Sequence, residues 1–302
     1  MIVRGTVILT DDCPSRRNIM NITISSSNSW LKKGSVFLLF FIVESMVFAI
    51  ITLSPYLLKT VLFGFHAGLT AMLLIVALFL RRSERGKPYW PVFYVFFVAA
   101  AAILISGLFS DDLMRLFNQT VTTPQGIATA KFSEGILRVI PILVLMPLAS
   151  LDWHSMYLKT GKVRLWLPIA IAALIVFPAL AYIAISSGQA GVLEKLLPLW
   201  PWILLFVLSN GFMEELLYRG LFLQKYESFL GKGLSNILTA IVFGIMHTQV
   251  TYAAEMIQFL AIVIVLSLIW GYLIQKSDSL WGAVLFHAAG DCLIIFGAFA
   301  SM

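Results

Sequence analysis

About nine long apolar stretches, at 35–57, 61–80, 90–109, 136–150, 165–186, 198–217, 234–249, 256–274 and 280–300, occupy most of this chain. A helix that crosses a bilayer needs about 20 mostly apolar residues, and most of these stretches approach that length. Within hydrocarbon the backbone must satisfy its own hydrogen bonds, which only helices and closed barrels do. Runs without period-two alternation exclude a barrel. The expected fold class is therefore all-α, a polytopic transmembrane helical bundle of about eight to nine spanning helices, with 136–150 the weakest span. At 60% hydrophobic and 12% charged over 302 residues, the chain does not fit an ordinary water-soluble globule.

Charge then orients the bundle. The formal net charge is +6, but the basic residues sit beside apolar runs, where they set topology rather than bind nucleic acid, and no nucleic-acid partner is expected. Lys32-Lys33, the Arg81–Lys87 cluster, Lys159, Lys162 and Arg164 fall in alternate connections, which predicts a cytoplasmic N-terminus. Arg219, Lys225, Lys232 and Lys276 follow on the same side. The segment Ser110 to Ser133 reads as one long outer loop, and residues 1–33 as a polar cytoplasmic tail. Residues 34–160 form a first set of transmembrane helices without a motif, and 161–302 a second set that carries one. Cys13 and Cys292 support neither a disulfide framework nor a cysteine metal site. Tyr89-Trp90-Pro91 and Trp200-Pro201-Trp202 read as interfacial anchors, and His66 and His154 as exposed interface histidines.

Ionisable groups inside spans are expensive, by translocon scales about 2.5 to 3.5 kcal/mol each at the centre, so where they cluster is informative. They cluster after residue 200. Glu215 and Arg219 are one turn apart on one helix face, so they can pair and offset each other's desolvation. Glu214 points about 100° away from Glu215 on a regular helix and is left to face another element. An unpaired buried carboxylate is the kind of group that takes a proton from water. His247 ends the next span, one turn after Phe243, and His287 and Asp291 are one turn apart on the last. Measured along their helices at 1.5 Å per residue, Glu214, His247 and His287 lie about 16 to 22 Å from the basic ends marked by Lys225, Lys232 and Lys276. The three can share one depth, in a cavity expected to be reached from that basic side.

The ordered set Glu214-Glu215-x-x-x-Arg219, Phe243-x-x-x-His247 and His287-x-x-x-Asp291 resembles the motifs of the CPBP family. That family includes type II CAAX prenyl endopeptidases and bacteriocin-processing or abortive-infection proteins, and the resemblance covers roughly residues 165 to 300. It implies an intramembrane endopeptidase acting on a membrane-associated or lipidated substrate. Glu214 and His247 would activate water, His287 and Asp291 would stabilise the oxyanion, and Glu215, Arg219 and Phe243 would support the site. The prenyl endopeptidases carry Asn where this chain has Asp291. An ionised carboxylate has no proton to donate, so Asp291 must be protonated or act by orienting His287. No cofactor is required by this scheme. Zinc remains an option, held by Glu214, His247 and His287, although no His-Glu-x-x-His motif is present. The implied partners are a membrane protein or peptide substrate and the bilayer itself. Two other classes fit buried Glu, His and Asp: a proton-coupled transporter, and a non-proteolytic membrane scaffold or immunity protein.

Overall fold

A computed structural model describes residues 26–53, 57–188, 190–250 and 255–302. The described residues are mostly helical, with α1 Ser26–Leu53, α2 Lys59–Arg82, α3 Trp90–Leu116, α4 Pro124–Leu148, α5 Val163–Ser186, the short α6 Val192–Leu196, α7 Trp200–Glu214, α8 Leu223–Met246, α9 Met256–Ser277 and α10 Trp281–Ala300. Among the described residues, seven helices are long and apolar enough to cross a membrane. α4 is continuous but carries Lys131, Glu134 and Arg138 within its length, and α1 carries Lys32 and Lys33 near its start and Glu44 further along. The polytopic helical bundle expected from the apolar runs is thus observed. Cys13 and most of the expected N-terminal tail lie outside the described residues, while Ser26–Lys33 belong to the first turns of α1. Cys292 is a buried free thiol.

Two expectations require correction. The long outer loop is mostly helix, because α3 runs on to Leu116 and α4 begins at Pro124. Thr123 caps α4, its Oγ1 accepting the Gly126 amide at 3.0 Å, and Pro124 supplies a first helical residue that needs no amide partner. Polar residues at helix ends shortened the apolar runs that the sequence displays. His66 is not an exposed interface residue: it is fully buried, with its ring Nε2 2.9 Å from the Ala100 carbonyl on α3. His154 is exposed, as expected.

α10 is the centre of the C-terminal part, packed against α5, α7 and α9, while α4 lies between α3 and α7 and α1 lies against α8. The close approach of α7 and α10 depends on Gly211, where an added Cβ would come within 2.9 Å of the Val284 carbonyl and 3.1 Å of the Ala288 amide. Small residues at such a crossing let two backbones meet, the usual device for joining helices in lipid. α8 bends at Gly231, whose φ of 77° lies in the left-handed region that glycine adopts without strain. Glu44 joins α1 to α8 by accepting a hydrogen bond from Tyr226 Oη at 2.8 Å, so this intramembrane carboxylate is a helix contact.

Candidate active site

The chemistry-bearing residues sit where α7, α8, α9 and α10 meet. α7 ends at Glu214 and continues into a π-helical turn, Glu215–Gly220. π-turns are rare and recur at functional sites. Here Glu214 and Glu215 close on opposite nitrogens of one ring. Nδ1 of His287 is 2.8 Å from Glu215 Oε1, and Nε2 is 3.6 Å from Glu214 Oε2 and 3.6 Å from Asp291 Oδ1. His287 is 4% exposed, so three carboxylates compete for one buried imidazole.

Beneath this cluster Arg219 is fully buried. Its Nη1 donates to Glu215 Oε1 at 2.8 Å, and its Nη2 donates to Ser267 Oγ. The guanidinium also lies 4.2 Å from the Phe243 ring centroid and 5.4 Å from that of Trp270. A desolvated guanidinium held by a carboxylate, a hydroxyl and two aromatic faces is a rigid platform. Trp270 stacks on His287 with centroids 4.1 Å apart and planes 7° from parallel, while Phe243 meets the same ring edge-on at 5.9 Å. Phe243 therefore packs against both histidines and the arginine, its centroid 4.4 Å from that of His247.

His247 follows Phe243 by one turn at the end of α8. Its Nδ1 is 2.8 Å from the Phe243 carbonyl, an acceptor, so Nδ1 carries the proton in that bond. In a neutral ring Nε2 is then the basic nitrogen. Glu214, His247, His287 and Asp291 all line one cavity of about 500 Å³. The structure thus gathers Glu214, His287 and Asp291 into direct proximity and places His247 on the wall of the same space.

This cavity extends in a direction opposite to the one expected. Its walls include Val250, Phe259 and Leu293, toward the far ends of α8, α9 and α10 from Lys225, Lys232 and Lys276. The basic end instead carries polar contacts between segments distant in sequence. Glu227 Oε1 accepts from Tyr157 Oη at 2.8 Å and from Gln275 Nε2 at 3.0 Å, Lys225 Nζ donates to Ser155 Oγ at 2.8 Å, and Lys159 pairs with Asp278 at 2.7 Å.

Several residues at the site carry no signal in the sequence motifs. Asn210, one turn before Glu214, donates from Nδ2 to Asp291 Oδ2 at 3.0 Å; the i to i+4 spacing from Asn210 to Glu214 was the only pointer to it. Trp270 sits in an apolar run and is indistinguishable there from lipid-facing residues. Lys131, Glu134 and Arg138 of α4 also line the cavity, with Glu134 bridging Lys131 at 2.8 Å and Arg138 at 2.5 Å. A second cavity of about 580 Å³ adjoins them.

Among the described residues, no group of three or more His, Cys, Asp or Glu side chains is arranged to hold a metal ion. Glu214, His247 and His287, the set allowed for zinc, do not form such a group.

Fold and site together define a polytopic helical membrane protein with a buried Glu–His–Asp centre opening into an intramembrane cavity. Residues 196–293 match the family model described as type II CAAX prenyl endopeptidase Rce1-like, and the resemblance to the CPBP and CAAX protease family holds over that segment. No curated protein and no solved structure matches the chain.

Proposed function

We propose that this chain is an intramembrane endopeptidase that cleaves a peptide bond of a membrane-associated or lipidated substrate without a covalent enzyme intermediate. The observation that carries the reading is the convergence of Glu214, His287 and Asp291, with His247 on the same cavity wall, inside a segment matching a peptidase family. Water attacks the scissile carbonyl carbon while Glu214, assisted by Nε2 of His247, takes its proton. The carbonyl π electrons move to oxygen, and the His287–Asp291 side of the cavity faces that oxyanion. Collapse breaks the C–N bond, and the departing nitrogen takes the proton back from Glu214. Glu215 and Arg219 hold His287 from below, and Phe243 and Trp270 hold both by packing. No cofactor enters this scheme.

The basic residues favour a cytoplasmic N-terminus. With that orientation the cavity extends toward the opposite leaflet. Residues 161–302 form the catalytic core in this reading, and 34–160 a supporting set of helices whose α4 completes the cavity wall. The test is to map peptide termini in membrane fractions from cells expressing wild type, Glu214→Gln or His287→Ala at equal levels. New termini that appear only with wild type support proteolysis and identify the substrate. Full biological activity in both variants without any such termini would support a scaffold or carrier instead.

A further inference from the structure

Asp291 presents a chemical difficulty that the geometry resolves. An oxyanion is stabilised by hydrogen-bond donors, and an ionised carboxylate has none. Asp291 is 8% exposed; its Oδ1 faces His287 Nε2 at 3.6 Å, an ion-pair distance, and its Oδ2 accepts a hydrogen bond from Asn210 Nδ2 at 3.0 Å. Asn210 is 7% exposed, lines the same cavity, and stands one helical turn before Glu214 on the same face of α7. A side-chain amide carries two N–H donors. Asp291 takes one, and it thereby fixes the amide with nitrogen, not oxygen, turned to the carboxylate. Among the described residues, Asn210 Oδ1 is buried without a hydrogen-bond partner, so the amide is held chiefly by that one bond.

We infer that Asn210 is the oxyanion donor of the reaction, and that Asp291 is the positioning residue that aims both Asn210 and His287. The amide needed at the oxyanion is supplied from α7, while the carboxylate on α10 orients it. When water adds to the carbonyl, its proton goes to Glu214 and the carbonyl π pair becomes the oxyanion lone pair. That oxygen accepts the second Nδ2–H of Asn210, beside the carboxylate that receives the proton. The inference rests on the proteolytic reading and adds to it a residue outside the three sequence motifs.

The experiment uses the full-length protein in detergent and a synthetic peptide spanning a cleavage site mapped as above. Asn210→Ala is expected to lower kcat by about 10²- to 10³-fold with KM within about threefold, the pattern for a donor that acts only in the transition state. Asp291→Asn keeps a side-chain oxygen able to accept from Asn210 Nδ2, so its loss of kcat is expected to be smaller than that of Asn210→Ala, and an equal or larger loss overturns the positioning role. Asn210→Asp removes the donor and sets two carboxylates together, and the exchange Asn210→Asp with Asp291→Asn restores one amide and one carboxylate and should recover at least about tenfold of the lost kcat. If Asn210→Ala does not fold, as judged by its melting curve, recovery in the exchange variant decides. A folded Asn210→Ala with unchanged kcat overturns the inference, as does an exchange variant no better than Asn210→Asp. Absence of cleavage by the wild type removes the proteolytic reading and this inference together, whereas cleavage indifferent to residue 210 removes only the inference.

Discussion

Replacing Arg219 by methionine tests the platform beneath the imidazole. The guanidinium is wholly buried, bonded to Glu215 Oε1 at 2.8 Å and to Ser267, and flanked by Phe243 and Trp270. Removing one partner of a buried pair leaves the other charge uncompensated, which costs about 3 to 5 kcal/mol. Exposed ion pairs, by comparison, contribute about 0 to 1 kcal/mol. The single variants Arg219→Met and Glu215→Leu should therefore each destabilise the protein by several times what a surface pair is worth. The double variant removes both charges and fills much of the same volume with apolar groups, so it should be far less destabilised than the sum of the singles. Reversible unfolding in mixed micelles, run for wild type, both singles and the double, measures this cycle. Because the pair is out of contact with solvent, the coupling should persist from low to high salt. The double variant should nonetheless be inactive, since Glu215 also accepts the His287 Nδ1 hydrogen bond at 2.8 Å. Additive destabilisation, or an Arg219→Met variant within about 0.5 kcal/mol of wild type, would refute the reasoning.

Other consequences follow from the same geometry. Gly211→Ala should separate α7 from α10, because its Cβ would meet backbone atoms at 2.9 and 3.1 Å; the cost should be about 1 to 3 kcal/mol, with a loss of activity visible in peptide cleavage. Trp270→Ala should destabilise by about 3 to 5 kcal/mol in the same unfolding assay by removing the surface on which His287 stacks, and Trp270→Phe should recover part of that loss. Tyr157→Phe breaks one hydrogen bond to Glu227 at the basic end of the bundle, so stability should fall by about 1 kcal/mol while the cleavage rate is unchanged. Because the proposed scheme activates water with Glu214 and His247 alone, treating the purified protein with a chelator should leave peptide cleavage unaltered; loss of cleavage restored by zinc would contradict that scheme.

Much of the fold was legible because span length and apolar continuity are properties of composition along the chain. The extension of α3 and α4 into the outer segment was not, since polar residues such as Asp111, Asp112 and Arg115 interrupt the apolar signal without interrupting the helix. His66 was misjudged for a related reason: position near a span end says nothing about which face a neighbour covers, and α3 supplies a carbonyl there. At the site, helical spacing made the Glu215–Arg219 pair readable. It did not show that Glu214 and Glu215 face opposite nitrogens of one ring, because that ring belongs to α10, distant in sequence, nor that a π-turn follows them, since nothing in the residues from Glu215 to Gly220 announces the change of winding. The direction of the cavity was hidden for a physical reason as well. Lys225, Lys232 and Lys276 mark an end of the bundle, but the hydrogen bonds that tie that end together run between segments distant in sequence, from Tyr157 to Glu227 and from Gln275 to Glu227.

The central claim is that Glu214 takes a proton from the water that cleaves a peptide bond, and the most direct measurement is single-turnover cleavage by purified protein reconstituted in liposomes. Wild type and Glu214→Gln would be compared on a peptide spanning a mapped cleavage site, with melting curves recorded for both. The account predicts at least a 10³-fold slower rate for Glu214→Gln, about 4 kcal/mol of lost transition-state stabilisation, at unchanged melting behaviour. A folded Glu214→Gln protein that cleaves at the wild-type rate would contradict it.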